Sequence, residues 1–493
     1  VRDLGVALGD MERRLEALQL AADREKDSRV AGRARTAAVE MRKIENQWDA
    51  LQKELSSKYG NSHHGLTSIE GIASQLDGNS AIVGWHESSS TGLAWGYVLR
   101  AKGGVTWIQL ENSDPAAGNR TKAFREEMHR VSSWPMRVTE TEKADKAGAD
   151  LWSFFVEPLL PELANVENLI VIPSGSLLGI PIEALQSPTG EYLSDRFAVS
   201  YSPSATVYAL LASRKNDSSV DPGTALLVGD PPFRASHVED MRQSDLAASA
   251  ADVDAITDEG LVGQAVLRGA LGGNQGALSK LPRLPRSRDE IIEIAKAFEK
   301  PTVLLGPDAA EQKLSDLASQ NALASYQTIH LATHALVDEE APERSALVLS
   351  RVELPDPMDA LVKGDRIYDG MVTISEISRE WNLSADLVTL SGCQTALGRE
   401  SGGEGYIGFA QAFLQAGAQS LLVSLWKVDD LATAKLMSRF YQNLAEGERG
   451  AMTKQKALQE AKSWLRNYED TSGAKPFQHP AYWAGFVLMG NAN

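Results

Sequence analysis

The chain has 493 residues and a formal net charge of −17, from 49 Lys and Arg residues against 66 Asp and Glu residues. This length exceeds the size at which one hydrophobic core usually stops growing, so we expect two or more domains. The acidic balance repels phosphate backbones and anionic membranes, which argues against nucleic acid or a membrane as partner, whereas a basic peptide would suit it.

Hydropathy and cysteine content exclude further classes of protein. No apolar run approaches the roughly 18 residues of a membrane span, and the amino terminus lacks the charged-then-apolar order of a signal peptide, so we predict a cytoplasmic protein. The single cysteine excludes an intrachain disulfide and a multi-cysteine zinc site, and we predict neither a metal nor a cofactor. The first residue is Val1 rather than Met, which indicates a trimmed chain or part of a longer one.

The first 58 residues have the periodicity of two amphipathic helices. Apolar residues recur every three or four positions with charges between them, namely Leu4, Leu8, Met11, Leu15 and Leu18, then Met41, Ile44, Trp48, Leu51 and Leu55. We predict a helical hairpin over residues 1–60, which either packs on the rest of the protein or ends a helical-repeat array.

Residues 66–213 predict an α/β half with antiparallel additions. Short strands at 81–85, 92–99 and 104–110 precede a helix at about 143–160 and the continuous apolar run that begins at Asn168, which is typical of a fully buried strand. Residues 214–223 are polar and rich in turn formers, so we interpret them as a linker.

Residues 221–493 alternate between strands and helices. The predicted strands are 224–229, 302–305, 326–333, 345–349, 386–391 and 420–426, and the predicted helices are 288–299, 309–320, 405–417, 430–446 and 451–467. Such βα units predict a mainly parallel sheet covered by helices on both faces, with ligands at the carboxyl ends of its strands. Two segments, 231–285 and 336–371, escape this scheme as long irregular loops, which are usually functional or disordered.

A histidine and the single cysteine follow two of these strands. His334 comes after the strand 326–333, and Cys393 comes 59 residues later, after the strand 386–391, a separation close to that of caspases. A cysteine attacks as the thiolate, and an imidazole can take its proton and later protonate the leaving amine. The amides of Ala335 and Cys393 are suitably placed to bind the developing oxyanion if the strands are adjacent, and Gly392 permits a close backbone approach.

Other sites fit the sequence less well. Gly403-Glu-Gly-Tyr-Ile-Gly408 is a formal dinucleotide-binding fingerprint, but it starts 11 residues after Gly392 rather than directly after a strand. His330 and His334 have metal-ligand spacing, but no Glu follows His330 and the segment reads as a strand. We expect His330 to be a core residue with satisfied hydrogen bonds.

Five ordered stretches resemble the CHAT domain, the caspase- and separase-related peptidases that often follow TPR repeats. They are Ile329–Ala335, Asp386–Gly398, Gly403–Ala418, Ser424–Thr433 and His479–Gly490, and the likeness extends upstream to Val171–Leu185 and Tyr201–Ala205. The resemblance covers about residues 68–493. It implies a caspase-like mainly parallel sheet in residues 221–493, preceded by a degenerate, non-catalytic caspase-like half in residues 66–213.

The resemblance also implies roles for individual residues. It assigns catalysis to His334 and Cys393, and Ala335 stands where such enzymes often have Gly, a change that leaves the amide in place. In the separase-like branch an acidic residue after Trp-x-Val helps to hold a basic side chain, and Asp430 occupies the similar position beside Asp429. Both also suit a helix amino terminus, where carboxylates cap orphan amides. Glu404 is a third acidic candidate.

Two functions of different class follow. The first is a cysteine endopeptidase that acts on a protein substrate and stays latent until an activating protein or helical-repeat partner acts, with the segments 231–285 and 336–371 long enough to cover the cleft. The second is an inactive caspase-like scaffold that mediates protein–protein interaction.

Overall fold

The structure is a computed structural model, and it describes residues 68–88, 93–110, 117–132, 141–214, 220–247, 275–338, 342–392, 404–447 and 452–493. Nearer the amino terminus it describes helical positions 6, 7, 9–11, 13–15, 18, 33, 35–44, 46, 47 and 50.

One eleven-stranded sheet runs through the described part of the chain. Its strands are β1 (Ser80–Glu87), β2 (Ala94–Arg100), β3 (Val105–Gln109), β4 (Asn168–Ile172), β5 (Ala198–Tyr201), β6 (Thr224–Gly229), β7 (Lys300–Leu305), β8 (Thr328–Ala332), β12 (Leu387–Leu390), β13 (Ser420–Ser424) and β14 (Phe486–Gly490). Their spatial order is β3-β2-β1-β4-β5-β14-β13-β12-β8-β6-β7. The pairs β1–β2, β2–β3 and β13–β14 are antiparallel, and the other neighbours are parallel.

A second, three-stranded antiparallel sheet directly follows β8. Its strands are β9 (Ala335–Leu336), β10 (Ala346–Val348) and β11 (Met371–Thr373), in the order β11-β10-β9. The segment 336–371 therefore holds regular structure, and the prediction of a long irregular loop there was wrong. The predicted strand 345–349 belongs to this small sheet rather than to the parallel one. Strands of two or three residues are too short to show the alternation on which sequence prediction depends.

The helices cover both faces of the large sheet. They are α1 (Ile69–Ala73), α2 (Ala117–Ser132), α3 (Glu142–Leu151), α4 (Leu193–Arg196), α5 (Ala205–Ser213), α6 (Ala235–Ala247), α7 (Pro285–Ala295), α8 (Glu311–Ser319), α9 (Pro357–Lys363), α10 (Ile374–Glu380), α11 (Glu404–Ala416), α12 (Asp430–Gly447), α13 (Lys454–Arg466) and α14 (Pro480–Trp483). Helix α3 continues as a π turn (Trp152–Val156) and a 3-10 turn (Glu157–Leu163), so the helix predicted at 143–160 is three successive elements. The further 3-10 turns are Gly175–Leu177, Ile182–Ala184, Gln275–Lys280, Gly306–Asp308, Ala322–Ser325 and Pro342–Arg344.

Burial explains the pattern of the central strands. Every residue of β8, β12, β13 and β14 is buried, as expected for strands that helices cover on both faces. The edge strand β3 is partly exposed along its whole length. The predicted fold class, α/β with a mainly parallel sheet and helices on both faces, is confirmed.

The two predicted halves share the large sheet. Strand β14 pairs in parallel with β5, through Met489 and Tyr201, and antiparallel with β13. The sequence analysis did not predict β5 or β14 as strands. The boundaries at 66–213 and 221–493, and the degenerate character of the first half, stay predictions.

Helical residues near the amino terminus contact the second half of the chain. Leu18 and Ala37 are buried in a small apolar cluster with Met11, Leu15 and Leu361. Residues of both predicted helices therefore meet near α9. The hairpin over residues 1–60 stays a prediction, because half of its apolar stripe lies outside the described residues. In the part of the chain that the structure describes, no helix is long and apolar enough to cross a membrane.

Candidate active site

The two predicted site residues follow neighbouring strands. Strand β12 pairs in parallel with β8, from Leu387 opposite Thr328 to Leu390 opposite Leu331, and the Ser391 amide continues the ladder to the Leu331 carbonyl at 2.9 Å. Both strands therefore end at the same edge of the sheet. His334 follows β8, whereas Cys393, which comes after Gly392 in the sequence, lies outside the described residues.

Gly392 lies against the backbone that carries the histidine. A Cβ atom at this position would come within 2.1 Å of the Thr333 carbonyl oxygen and 3.8 Å of the Ala335 amide nitrogen. No other residue type fits without moving the backbone. The Gly392 carbonyl accepts a hydrogen bond of 2.6 Å from Ser424 Oγ on β13, so Gly392 is fixed between two neighbouring strands.

The Ala335 amide is directed away from the small sheet. Ala335 pairs with Leu347 of β10, while the Val348 amide donates to the His334 carbonyl at 2.8 Å. In an antiparallel ladder the hydrogen-bonded pairs alternate, so the amide of Ala335, between two such pairs, points to the opposite side. An ideal Cβ atom on Gly392 would lie 3.8 Å from the nitrogen of this amide.

The imidazole of His334 is buried and oriented by a backbone carbonyl. Its Nε2 lies 2.9 Å from the Pro282 carbonyl oxygen. A carbonyl only accepts, so Nε2 carries the proton, and in the neutral ring Nδ1 is then the basic nitrogen. The Phe233 ring packs on the imidazole with centroids 5.2 Å apart.

A second histidine fixes Phe233. The Phe233 amide donates to His237 Nδ1 at 3.3 Å, and burial, more than the nearby charge of Arg234, lowers the pKa of His237 to about 4. His237 is therefore neutral at pH 7 and able to accept this hydrogen bond. Phe233 and Pro282 lie in the two described ends of the segment 231–285, so both ends contact the imidazole.

A small, partly open cavity lies beside Gly392. Its lining includes strand-end residues, two carboxylates and one cation. The described lining residues are Leu284, Arg286, Ser287, Glu290, Ser391, Gly392, Ser424, Val428, Asp430, Thr433 and Phe486. The exposed Asp430 is the first residue of α12, whereas Glu290 of α7 is buried.

The three predicted acidic residues differ in placement. Asp430 lines the cavity, while Asp429 caps α12, because its Oδ1 accepts a hydrogen bond of 2.9 Å from the Ala432 amide. Glu404 is the first residue of α11, and its side chain lies outside the described part of the chain.

The sequence analysis missed Glu290 and the Pro282 carbonyl. Glu290 Oε1 lies 2.9 Å from His330 Nε2, and His330 Nδ1 lies 3.1 Å from the Tyr441 hydroxyl, so both nitrogens of this fully buried ring have partners. The expectation that His330 is a satisfied core residue is confirmed. No sequence signal identifies Pro282, because its contribution is a main-chain oxygen.

Comparison with known proteins identifies the family. The CHAT domain model matches residues 145–491. Among curated proteins, the chain is 28% identical over 212 residues to mouse tetratricopeptide repeat protein 28, covering 38% of this chain and 8% of that protein. It is 24% identical over 332 residues to the human protein of that name, covering 66% of this chain and 12% of the relative, so it spans a small part of the length of these relatives.

Two kinds of solved structure are also similar. The Saccharomyces cerevisiae separase–securin complex at 2.6 Å resolution matches with a TM-score of 0.47 and 11% identity, over 85% of this chain and 30% of that chain. The Arg-specific cysteine proteinase gingipain R matches with a TM-score of 0.35 and 8% identity, over 75% of each chain. Since the family model covers most of the chain, from α3 to β14, the protein belongs to the CHAT domain family.

Proposed function

We propose that this chain is a cysteine endopeptidase that cleaves a protein substrate with His334 and Cys393. The observation that carries the proposal is the approach of Gly392 to the backbone of residues 333–335, because it puts the residue before the cysteine beside the histidine. Membership of the CHAT family supports it, since peptidases are known in that family.

The proposed reaction uses each group in turn. His334 Nδ1 takes the thiol proton, and the Cys393 thiolate attacks the scissile carbonyl carbon. The amides of Ala335 and Cys393 bind the developing oxyanion, the Nδ1 proton passes to the leaving amine, and water then hydrolyses the acyl-enzyme. The Pro282 carbonyl keeps the imidazole in the tautomer that this sequence of steps requires.

We propose that the cavity beside Gly392 takes a basic side chain before the cut bond. Its described lining holds two carboxylates, Asp430 and Glu290, against one cation, Arg286, and the excess of carboxylates would attract a guanidinium or ammonium group. Asp429 is the weaker candidate, because its carboxylate caps α12.

We propose latency as the regulatory state, with an activating protein or helical-repeat partner acting through the helical residues 1–60. Support comes from the contacts of those residues with the segment after His334 and from relatives named for tetratricopeptide repeats. Cytoplasmic location stays a prediction from the sequence.

The test is proteome-wide labelling of new amino termini in cells that contain the wild-type chain, Cys393→Ala or His334→Ala, so that an activating partner is present. We expect the wild type to create new termini at sites preceded by Arg or Lys. Either variant should create at least a hundredfold fewer of these termini. Both variants should have the melting temperature of the wild type. His86→Ala, which removes an exposed histidine on β1, is the matched control and should cleave normally.

Cleavage that persists in Cys393→Ala would contradict the proposal. If a peptidyl electrophile also fails to label Cys393 of the wild type in the same cells, the inactive scaffold is the better description, because an activated thiolate should react quickly.

A further inference from the structure

A fully buried aspartate follows β6, the strand that pairs with the strand preceding the candidate histidine. Asp230 directly follows β6, and Gly229 pairs in register with Ala332, two residues before His334. Its φ of 51° lies in the left-handed region, which Asp and Asn tolerate better than other residues with a Cβ atom. The residue at position 230 must therefore tolerate a left-handed backbone conformation and carry a side chain that can be fully buried.

Asp230 clamps the segment that contributes the Pro282 carbonyl. Its Oδ1 accepts from Arg283 Nε at 2.9 Å and its Oδ2 from Arg283 Nη2 at 2.8 Å, a bidentate pair that fixes direction as well as distance. The Asp230 amide donates to Ser287 Oγ at 2.9 Å, and Arg288 Nη1 lies 3.7 Å from Oδ2.

Arg283 directly follows Pro282 in the chain. The Pro282 carbonyl accepts a hydrogen bond from the Nε2–H group of His334. We propose that Asp230 is a positioning residue for His334. The Asp230–Arg283 pair holds the Pro282 carbonyl against Nε2, and so fixes both the plane of the imidazole and the tautomer with Nδ1 free of a proton. This inference rests on the proposed peptidase function and names a residue that the catalytic pair requires.

Stability alone does not account for this arrangement. A buried ion pair is often no more stabilising than well-packed apolar side chains of similar volume, because both charges lose their hydration. The pair instead supplies a rigid, directional link between β6 and residues 282–288. A displacement of about 1 Å at a catalytic group is enough to cost roughly a hundredfold in rate.

The experiment compares Asp230→Asn and Arg283→Lys with the wild-type chain. Asn keeps the shape and the tolerance for the left-handed region but loses the charge, whereas Lys keeps the charge but loses the bidentate geometry. The matched control is Glu191→Gln, which removes a carboxylate that pairs with Arg196 in the first half of the chain, residues 66–213. The measurements are kcat and KM, the pH profile of kcat/KM, melting temperature, and ¹⁵N NMR of the His334 ring, assigned with His334→Ala.

We expect Asp230→Asn to lower kcat about 10- to 100-fold with KM within about twofold of the wild type. The apparent pKa on the acidic limb should fall, because the imidazolium loses a well-placed acceptor for its Nε2 proton. The ring should shift from the Nε2–H tautomer to a mixture of both. Arg283→Lys should change the same quantities in the same direction, and Glu191→Gln should change none of them.

Two results would overturn the inference. One is a folded Asp230→Asn chain with wild-type kcat, pH profile and tautomer. If that variant does not fold, the same wild-type values in folded Arg283→Lys would overturn it instead. The NMR measurement separates this inference from the proposed function: in a wild type that cleaves nothing, a tautomer change in either variant still supports positioning by Asp230, and an unchanged tautomer still opposes it.

Discussion

At the scale of residues, two adjacent aspartates at the start of α12 have different surroundings. Asp429 accepts the Ala432 amide and so satisfies one of the orphan donors of the helix, whereas Asp430 lines the cavity beside Gly392. Sequence reasoning proposed both residues as substrate-binding or capping groups. The sequence did not show which aspartate has which role, because this depends on which of the two side chains faces the free amides of the first helical turn.

The two aspartates should separate stability from specificity. We expect Asp429→Ala to lower the free energy of unfolding by about 1 kcal/mol through loss of the cap, with the preference for basic substrates retained. We expect Asp430→Ala to leave stability nearly unchanged but to lower kcat/KM for peptides with Arg before the cut bond about 10- to 100-fold. Denaturant unfolding and peptide kinetics measure the two effects. The reverse assignment of effects would contradict this division.

At the scale of elements, α8, α10 and the strand β11 meet at a buried group of carboxylates. Glu311 Oε2 accepts from the amides of Asp369 and Gly370, both at 2.9 Å. Burial, followed by the charge of Asp369, raises the pKa of Glu311 to about 8, and burial also raises the pKa of Asp369. The pKa of Glu311 therefore favours its protonated form in the folded protein at neutral pH, and the pKa of Asp369 is shifted in the same direction.

Basic residues compensate the neighbouring carboxylates of α10. Arg366 Nη2 lies 2.6 Å from Glu380 Oε2, and Arg13, from the helical residues near the amino terminus, pairs with Glu376 and lies 3.6 Å from Glu380. The charge of Arg13 also acts against the raised pKa of Glu311. The contact of Arg13 with α10 is therefore coupled to the protonation of Glu311, which lies next to the small sheet that follows His334.

The raised pKa of Glu311 predicts how stability depends on pH. A carboxyl group with a raised folded pKa binds its proton more tightly when folded, so its contribution is complete below the unfolded value of about 4.3 and is lost as pH rises through about 8. Glu311→Gln retains an oxygen acceptor for the two amides but cannot titrate. We expect the free energy of unfolding of this variant to fall less steeply between pH 5 and 8 than that of the wild type, by up to about 1.4 kcal/mol per pH unit.

Urea unfolding at several pH values measures this slope. Glu293→Gln, which removes an exposed carboxyl group from α7, is the control and should follow the wild-type slope. An equally steep decline in Glu311→Gln would show that Glu311 is not responsible.

At the scale of the whole molecule, buried polar contacts join the two halves where β5 meets β14. Lys462 Nζ of α13 lies 2.7 Å from Glu183 Oε1, both side chains are 3% exposed, and the Tyr201 hydroxyl donates to the same carboxylate. Gln455 Nε2 donates to the Leu169 and Ala198 carbonyls, at 2.9 and 2.7 Å. Separation of the halves would break the buried Lys462–Glu183 pair and the two hydrogen bonds of Gln455.

This link predicts that the described body unfolds as one unit. We expect Lys462→Met to lower the free energy of unfolding by about 3–5 kcal/mol, because it leaves the Glu183 carboxylate buried without its cation. Lys456→Met removes the exposed pair with Glu167, where both side chains are at least 42% exposed, and should cost less than about 1 kcal/mol. Calorimetry measures both. Two separate transitions in the wild type would contradict the single unit.

Sequence patterns predicted the parallel body of the sheet well, because fully buried strands such as β8 and β12 are continuous apolar runs bounded by turn formers. They did not predict β5, which has four residues, or β14, which follows α14 almost without a break. The site was predicted through the residues that follow β8 and β12. The Pro282 carbonyl and the cavity carboxylate of Glu290 depend on how distant segments pack, which a local pattern does not contain.

The sixth place across the sheet belongs to β14, which the ribosome makes after every other strand of the sheet. During translation the nascent chain therefore holds two incomplete sheets, with unpaired edges at β5 and β13. A message cut short before the codon for Phe486 yields a product with both edges open to other chains. The large sheet assembled in this way is complete only after synthesis has passed β14.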